Sequence, residues 1–160
     1  NVRLAWSMLA MQGDLVRLHQ AVDPIADYYY VSGLYSDLID LFGDTIAQLT
    51  ELEVQSKYQD PLAQSLFGRI YVRLYGHLVY FYFWVANYAE MRRCIQAALK
   101  YCDEGDSEGC AFAFIRVGAA YARGVGDPIT AKHYLDRGLH LAQVESPKGF
   151  TLRQVALKRG

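Results

Sequence analysis

Apolar side chains return every three or four positions along almost the whole chain, and the recurrence is cut only at a few helix-stop and helix-start signals. Such a pattern folds as stacked helices, because each stripe needs a partner face to be buried. The spacing predicts a first helix over Val2 to Met11, closed by Gly13. Asp14 caps a second helix to about Ser32, with Pro24 inside it as a kink or break. Gly33 ends that helix, and a third runs from about Tyr35 to Val54. Its apolar positions Leu38, Phe42, Ile46 and Leu49 stand opposite Asp37, Asp40, Asp44 and Glu51. Asp60-Pro61 starts a long aromatic-rich fourth helix to about Val85. Asn87 with Glu90 reads as a capping box for a fifth, striped by Met91, Ile95, Ala98 and Cys102. After a polar loop at Asp103 to Gly109, a sixth helix is expected from about Cys110 to Arg123, broken by Gly124-Val125-Gly126. Asp127-Pro128 then opens a seventh to about Val144, which Ser146-Pro147 stops.

One segment argues against helix. Val79-Tyr80-Phe81-Tyr82-Phe83-Trp84 is rich in strand formers. It has no turn signal before it, however, and sits inside an uninterrupted run from Leu62, too long for a strand. It is read as helix.

The breaks at Gly33, Ala86 and Gly126 put three segments in register. Five residues after each stand Leu38, Met91 and Ala131; nine after, Phe42, Ile95 and Leu135; twelve after, Thr45, Ala98 and Gly138; sixteen after, Leu49, Cys102 and Ala142. Tyr29 and Tyr82 lie four before their breaks, and Tyr121 five before its own. The bulky columns predict core, and the small column predicts close helix approach. Three hairpins in register predict an all-α solenoid of about seven helices.

Val117-Gly118-x-x-Tyr121 with Ala131, Leu135 and Gly138, and Tyr82 with Met91, Ile95 and Ala98, resemble tetratricopeptide repeats. The breaks are 53 and 40 residues apart (33 to 86, 86 to 126), against about 34 in the standard repeat. The usual tryptophan and closing proline are absent at their positions. The Gly124-Val125-Gly126-Asp127 loop is also similar to Sel1-type repeats, although the spacing beyond it differs. Asn1-Val2-Arg3-Leu4-Ala5-Trp6, Gly13-Asp14, Tyr28-Tyr29-Tyr30 and Gly33-x-Tyr35 resemble the start of the repeat region in bacterial STAND-type regulators, including the maltose-regulator-like transcription activators. The resemblance implies a right-handed superhelix of antiparallel hairpins over residues 1–145, with 146–160 as a basic tail or capping helix. It also implies a sensor segment of a longer chain, working with other domains of that chain and, since no GxxxxGK[ST] occurs here, without the ATPase.

Charge and cysteine usage narrow the classes further. Sixteen Lys and Arg against seventeen Asp and Glu leave a net charge of -1, which opposes direct binding of nucleic acid by this segment. Cys94, Cys102 and Cys110 are odd in number and lack a CxxC, the pattern of a reducing, cytoplasmic setting. The longest uncharged stretch, Leu74 to Ala89, falls short of the roughly 20 residues a membrane span needs. The first ten residues lack the order of a signal peptide.

Chemistry-bearing motifs are scarce. HExxH, GxSxG, GxGxxG and EF-hand loops do not occur. His133 and His140 are seven apart without a third ligand, so neither a metal nor a cofactor is expected. The fourth helix is more informative: Arg69, Arg73 and His77 step by four along an otherwise apolar element. The repeat resemblance implies that the first helix of each hairpin lines a groove, which places Arg73, Tyr80 and Trp84 there, with Tyr30 and Arg123 at comparable positions. Arginine among aromatic faces suits a protein or peptide partner, or a small anionic inducer. The plainer reading is that the arginines pair with acids on neighbouring helices and the rings are core. The expected function is a non-enzymatic interaction or sensing module in signal transduction and transcription regulation. A stand-alone adaptor or peptide receptor, and an all-α enzyme using His77 or Cys102, are the rivals.

Overall fold

The computed structural model describes residues 2–55, 61–102 and 107–145. The Asp60 cap, the first part of the polar loop and the basic tail lie outside them. Every regular element described is helical: α1 (Val2–Gln12), α2 (Leu15–Val31), α3 (Tyr35–Val54), α4 (Pro61–Trp84), α5 (Tyr88–Cys102), α6 (Ser107–Ala120), a π-helical turn (Tyr121–Val125) and α7 (Pro128–Glu145). None of these helices is long and apolar enough to cross a membrane.

The local signals explain the starts. Asp14 Oδ1 accepts from Arg17 N at 3.1 Å, Asn87 Oδ1 from Glu90 N at 3.3 Å, and Asp127 Oδ1 from Thr130 N at 3.0 Å. Each satisfies a first-turn N–H that has no helical acceptor. The Glu90 carboxylate accepts from Arg93 at 2.6 Å. α2 continues through Pro24 without a break. The strand-forming run at 79–84 is the last part of α4, because the apolar face it offers is buried on neighbouring helices: Val79 and Phe81 are enclosed.

The helix ends account for the register. Gly33, Ala86 and Gly126 all have positive φ, at 69°, 56° and 73°. This left-handed residue turns the chain so that the next N–H can reach back over the last helical turn. Leu34 N donates to Tyr29 O at 3.0 Å and Asn87 N to Tyr82 O at 3.0 Å. In the third hairpin Tyr121 O accepts both Gly126 N at 3.0 Å and Asp127 N at 3.1 Å. The extra residue before Gly126 is taken up by the π-helical turn, whose wider ring holds one more residue than an α turn. The sixth helix therefore differs from expectation at both ends, starting at Ser107 and ending as α-helix at Ala120.

α4 lies at the centre and packs against α2, α3, α5 and α6, while α6 packs on α7 and α1 on α2 and α3. Leu38, Phe42, Leu49, Met91 and Ile95 are buried in one continuous core. The small positions lie where helices nearly touch. A Cβ on Gly118 would stand 2.6 Å from Leu135 Cγ, and one on Gly138 would stand 3.0 Å from Ala111 O. Leu135 departs from its column: it is 37% exposed, because the described residues place no further helix over that side of α7.

Candidate functional site

The polar stripe of α4 changes character along its length. Arg69 is exposed, whereas Arg73 and His77 are buried one and two turns further on. Both reach across to Asp23 of α2: Arg73 Nη1 pairs with Asp23 Oδ2, and His77 Nε2 lies 2.9 Å from Asp23 Oδ1. One carboxylate thus ties two buried groups of α4 to the neighbouring hairpin. Arg73 is held in the core by this pair, and does not line an open groove as the resemblance implied. A guanidinium at that depth is tolerated only with a counter-charge, which the neighbouring hairpin supplies.

The His77 ring sits beside Phe112 of α6, with centroids 4.7 Å apart, and 6.2 Å from Phe42 of α3. Gly76 permits that approach, since a Cβ there would come within 2.9 Å of Phe112. Burial lowers the His77 pKa below 6.5, against the hydrogen bond to Asp23, which raises it. The imidazole is therefore neutral at pH 7 and donates its Nε2 hydrogen to the carboxylate. For Asp23, burial pushes the pKa up. The hydrogen bond from His77 and the nearby charges of Arg73 and Arg116 outweigh burial and bring it below 3.8.

Arg116 of α6 completes the polar interior. Its guanidinium carbon lies 4.2 Å from the Tyr80 ring centroid and 5.0 Å from that of Phe112. The residue is only 9% exposed, and its Nη1 is buried with no hydrogen-bond partner among the described residues. Burial lowers its pKa, while Tyr80, Asp27 and Asp23 favour the charged form.

Toward the end of α4 the site opens. Tyr80 lies 5.5 Å from Tyr30 of α2 and 5.9 Å from Trp84, and Trp84 lies 6.3 Å from Tyr30 and 6.1 Å from Tyr35 of α3, centroid to centroid. Tyr80 is buried and Tyr30 half-buried, but Trp84 is 43% exposed, so this ring cluster ends at the surface. The hydrogen bond with Tyr80 is the main cause that raises the Tyr30 pKa, with burial second. Next to the cluster is a shallow recess with space for about one water, lined by Tyr80, Phe83, Arg116, Ala119, Ala120 and Arg123. The π-helical turn carries exposed Arg123 to its edge. Gly124 lets that turn settle on Phe83 and Tyr88, which a Cβ would meet at 3.1 and 3.3 Å.

The structure thus brings Tyr30, Tyr80, Trp84 and Arg123 to one side of the molecule, with Tyr80 and Arg123 sharing the recess. It sends Arg73 and His77 into an internal network and leaves Arg69 outside both. Sequence reasoning missed Asp23 and Arg116. A signal for them exists: Asp23 stands ten residues before its break, His77 nine and Arg116 ten, the same level of three successive hairpins. No group of His, Cys, Asp and Glu suited to a metal ion occurs among the described residues. Comparison with protein-family models, with curated proteins and with solved structures finds no match.

Proposed function

We propose that the chain is a non-catalytic, tetratricopeptide-like sensing module that binds a ligand or partner on the face formed by α2, α4 and the π-helical turn. In this reading its hairpins form a right-handed superhelix, and it serves a larger bacterial signalling or transcription regulator. The observation that carries the proposal is the open ring cluster of Tyr30, Tyr80 and Trp84 running directly into the Arg116–Arg123 recess. Rings with polar tips and a nearby guanidinium are the residues that dominate binding energy at interfaces. A π-helical turn beside the recess adds support, since such turns recur at functional sites.

Of His77 and Cys102, the side chains that the enzymatic reading would use, His77 is poorly placed for turnover, and so is the neighbouring thiol of Cys94. His77 is 2% exposed and engaged with Asp23, beyond reach of a substrate. The Cys94 thiol is pushed up to about 12, by burial first and by Glu90 second, which leaves almost no thiolate nucleophile near pH 7. The test is a thermal-shift screen of metabolites and short peptides against the wild-type chain and Trp84→Ala. A binder that stabilises the wild type, with stabilisation lost in a Trp84→Ala protein of unchanged melting temperature, is the expected result. Turnover of any screened compound that depends on His77 or Cys102 would move the protein to the enzyme class.

A further inference from the structure

Apolar side chains left in water gather at the turns around Gly33, Ala86 and Gly126. At the first turn Val31, the last residue of α2, is 84% exposed, and Leu34 is exposed just after Gly33. At the second, Trp84 ends α4 and is followed by Val85 and Tyr88, all three exposed. At the third, Ile129 in the first turn of α7 is 83% exposed. These turns touch in sequence. Trp84 lies 6.3 Å from Tyr30 and 6.1 Å from Tyr35 at the first turn, centroid to centroid. Gly124 at the third lies so close to Tyr88 of the second that a Cβ would meet that ring at 3.3 Å. One apolar strip therefore crosses the ends of α2, α4 and the π-helical turn. Turns ordinarily carry small and polar residues, and a contiguous apolar strip in water marks an interaction surface.

The size of the strip and its surroundings say what covers it. A free aliphatic side chain presents roughly 100 Å² and an aromatic one roughly 200 Å², so the exposed fractions leave on the order of 400 Å² of apolar surface. That is nearly the whole apolar share of a standard interface, to which each partner gives about 800 Å², a little over half of it apolar. The strip protrudes, since Val31 and Ile129 keep most of their surface in water. The recess beside it has room for about one water and cannot seat the anchor side chain of a peptide. Charges of both signs flank it, exposed Asp37 and Arg123 and the Glu90–Arg93 pair, so it offers no surplus to a charged partner or an anionic lipid surface. The chain as a whole carries a net charge of -1, so two copies bring little mutual repulsion.

We propose that the chain pairs with a second copy of itself through this strip, about a two-fold axis that sets the turns of one copy against those of the other. The inference rests on the binding face assigned above and names its partner. A two-fold axis offers each strip the same apolar row and sets flanking charges of both signs against each other. Interfaces between identical copies are also the ones richest in apolar area.

Sedimentation equilibrium of the chain between about 1 and 200 µM tests the pairing. The apparent mass should climb from monomer towards dimer over that range. Trp84 emission should move to shorter wavelength with it, over a constant background from Trp6, which is already enclosed at 1% exposure. Val31→Lys and Ile129→Asp should each raise the dissociation constant about tenfold or more, since a two-fold interface meets each change twice. Both positions are exposed, and each new charge favours the dipole of its own helix, so the monomer should fold with an unchanged far-ultraviolet dichroism spectrum. Val54→Lys, comparably exposed but at the far end of α3, roughly 28 Å along the helix from Tyr35, should leave the dimer intact. A monomer mass at every concentration would overturn the proposal, as would a dimer that survives both strip variants or is lost in Val54→Lys. A monomer that floats with phosphatidylcholine vesicles would put a lipid surface in place of the second copy, and so would also overturn it. In each case a ligand whose stabilisation is lost in Trp84→Ala would leave the sensing function standing.

Discussion

Asp23 is the residue on which the interior turns. Its two oxygens hold groups separated from it by 50 and 54 positions in the chain, so its loss would strand both Arg73 and His77. The titration of the pair has a definite sign. In the unfolded chain His77 takes up a proton as pH falls through about 6.5, whereas in the folded protein burial holds its pKa lower. Between those two values the unfolded state binds more protons, so stability falls as pH falls. Asp23 acts in the same direction at lower pH: its folded pKa lies below 3.8, and its contribution disappears as pH drops through that folded value. Urea unfolding between pH 7.5 and 5 should therefore show declining stability in the wild type, with a shallower decline in His77→Phe. Parallel declines in the two proteins would assign the slope to other histidines. The pairing was not legible in the sequence, because helical spacing tells which residues share a face of α4 and nothing about what α2 sets opposite them. Arg73 therefore read equally as a groove residue and as a salt-bridge partner.

Elements were far more legible, because their ends are written locally. Asp14, Asn87 and Asp127 each announce a helix start and each makes the capping bond. The bounds of α3 follow from its stripe alone. What the stripe could not convey was the π-helical turn. The one-residue offset of Tyr121 was visible, but an offset of that kind is absorbed equally well by a loop. Substitutions at the glycines and at Ala86 separate the physical reasons for these choices. Ala86 holds φ at 56° without the freedom of glycine, so Ala86→Gly should raise stability by up to about 1 kcal/mol. Gly118→Ala should lower it by about 1–3 kcal/mol, since the new methyl meets Leu135 at 2.6 Å. Gly43→Ala on α3, with nothing within 4 Å, should instead gain about 1 kcal/mol from helix propensity. Chemical denaturation of the three variants gives both signs, and a neutral Gly118→Ala would mean that α6 and α7 have room to part.

At the scale of the molecule the question is whether hairpins in series unfold one by one or together. Repeat arrays gain stability from each unit and from each neighbouring interface, and lose cooperativity where an interface is weak. Here the main cluster of buried side chains runs from Trp6 on α1 to Ala120 at the end of α6, beside a small second one of Val72, Ala98 and Ala113, with α4 contributing to both. The Asp23 pair links α2 to α4 across one hairpin boundary, and the contact of His77 with Phe112 links α4 to α6 across the next. No boundary between these hairpins lacks such a tie, so unfolding should be a single transition. The chain has two tryptophans, and Trp84→Phe leaves Trp6 as the sole emitter. Trp6 is 1% exposed and donates to Thr45 Oγ1 at 2.7 Å, which makes it a reporter of the α1–α3 end. In that background the urea curve from Trp6 emission should coincide with the curve from far-ultraviolet circular dichroism. Ile95→Ala, a cavity of about 2–5 kcal/mol on α5, should then move both midpoints down together, by about 1 M or more. A Trp6 transition that stays in place while the dichroism shifts would mean that the first three helices unfold by themselves. The buried pair between α2 and α4 would then fasten the two hairpins without coupling their folding.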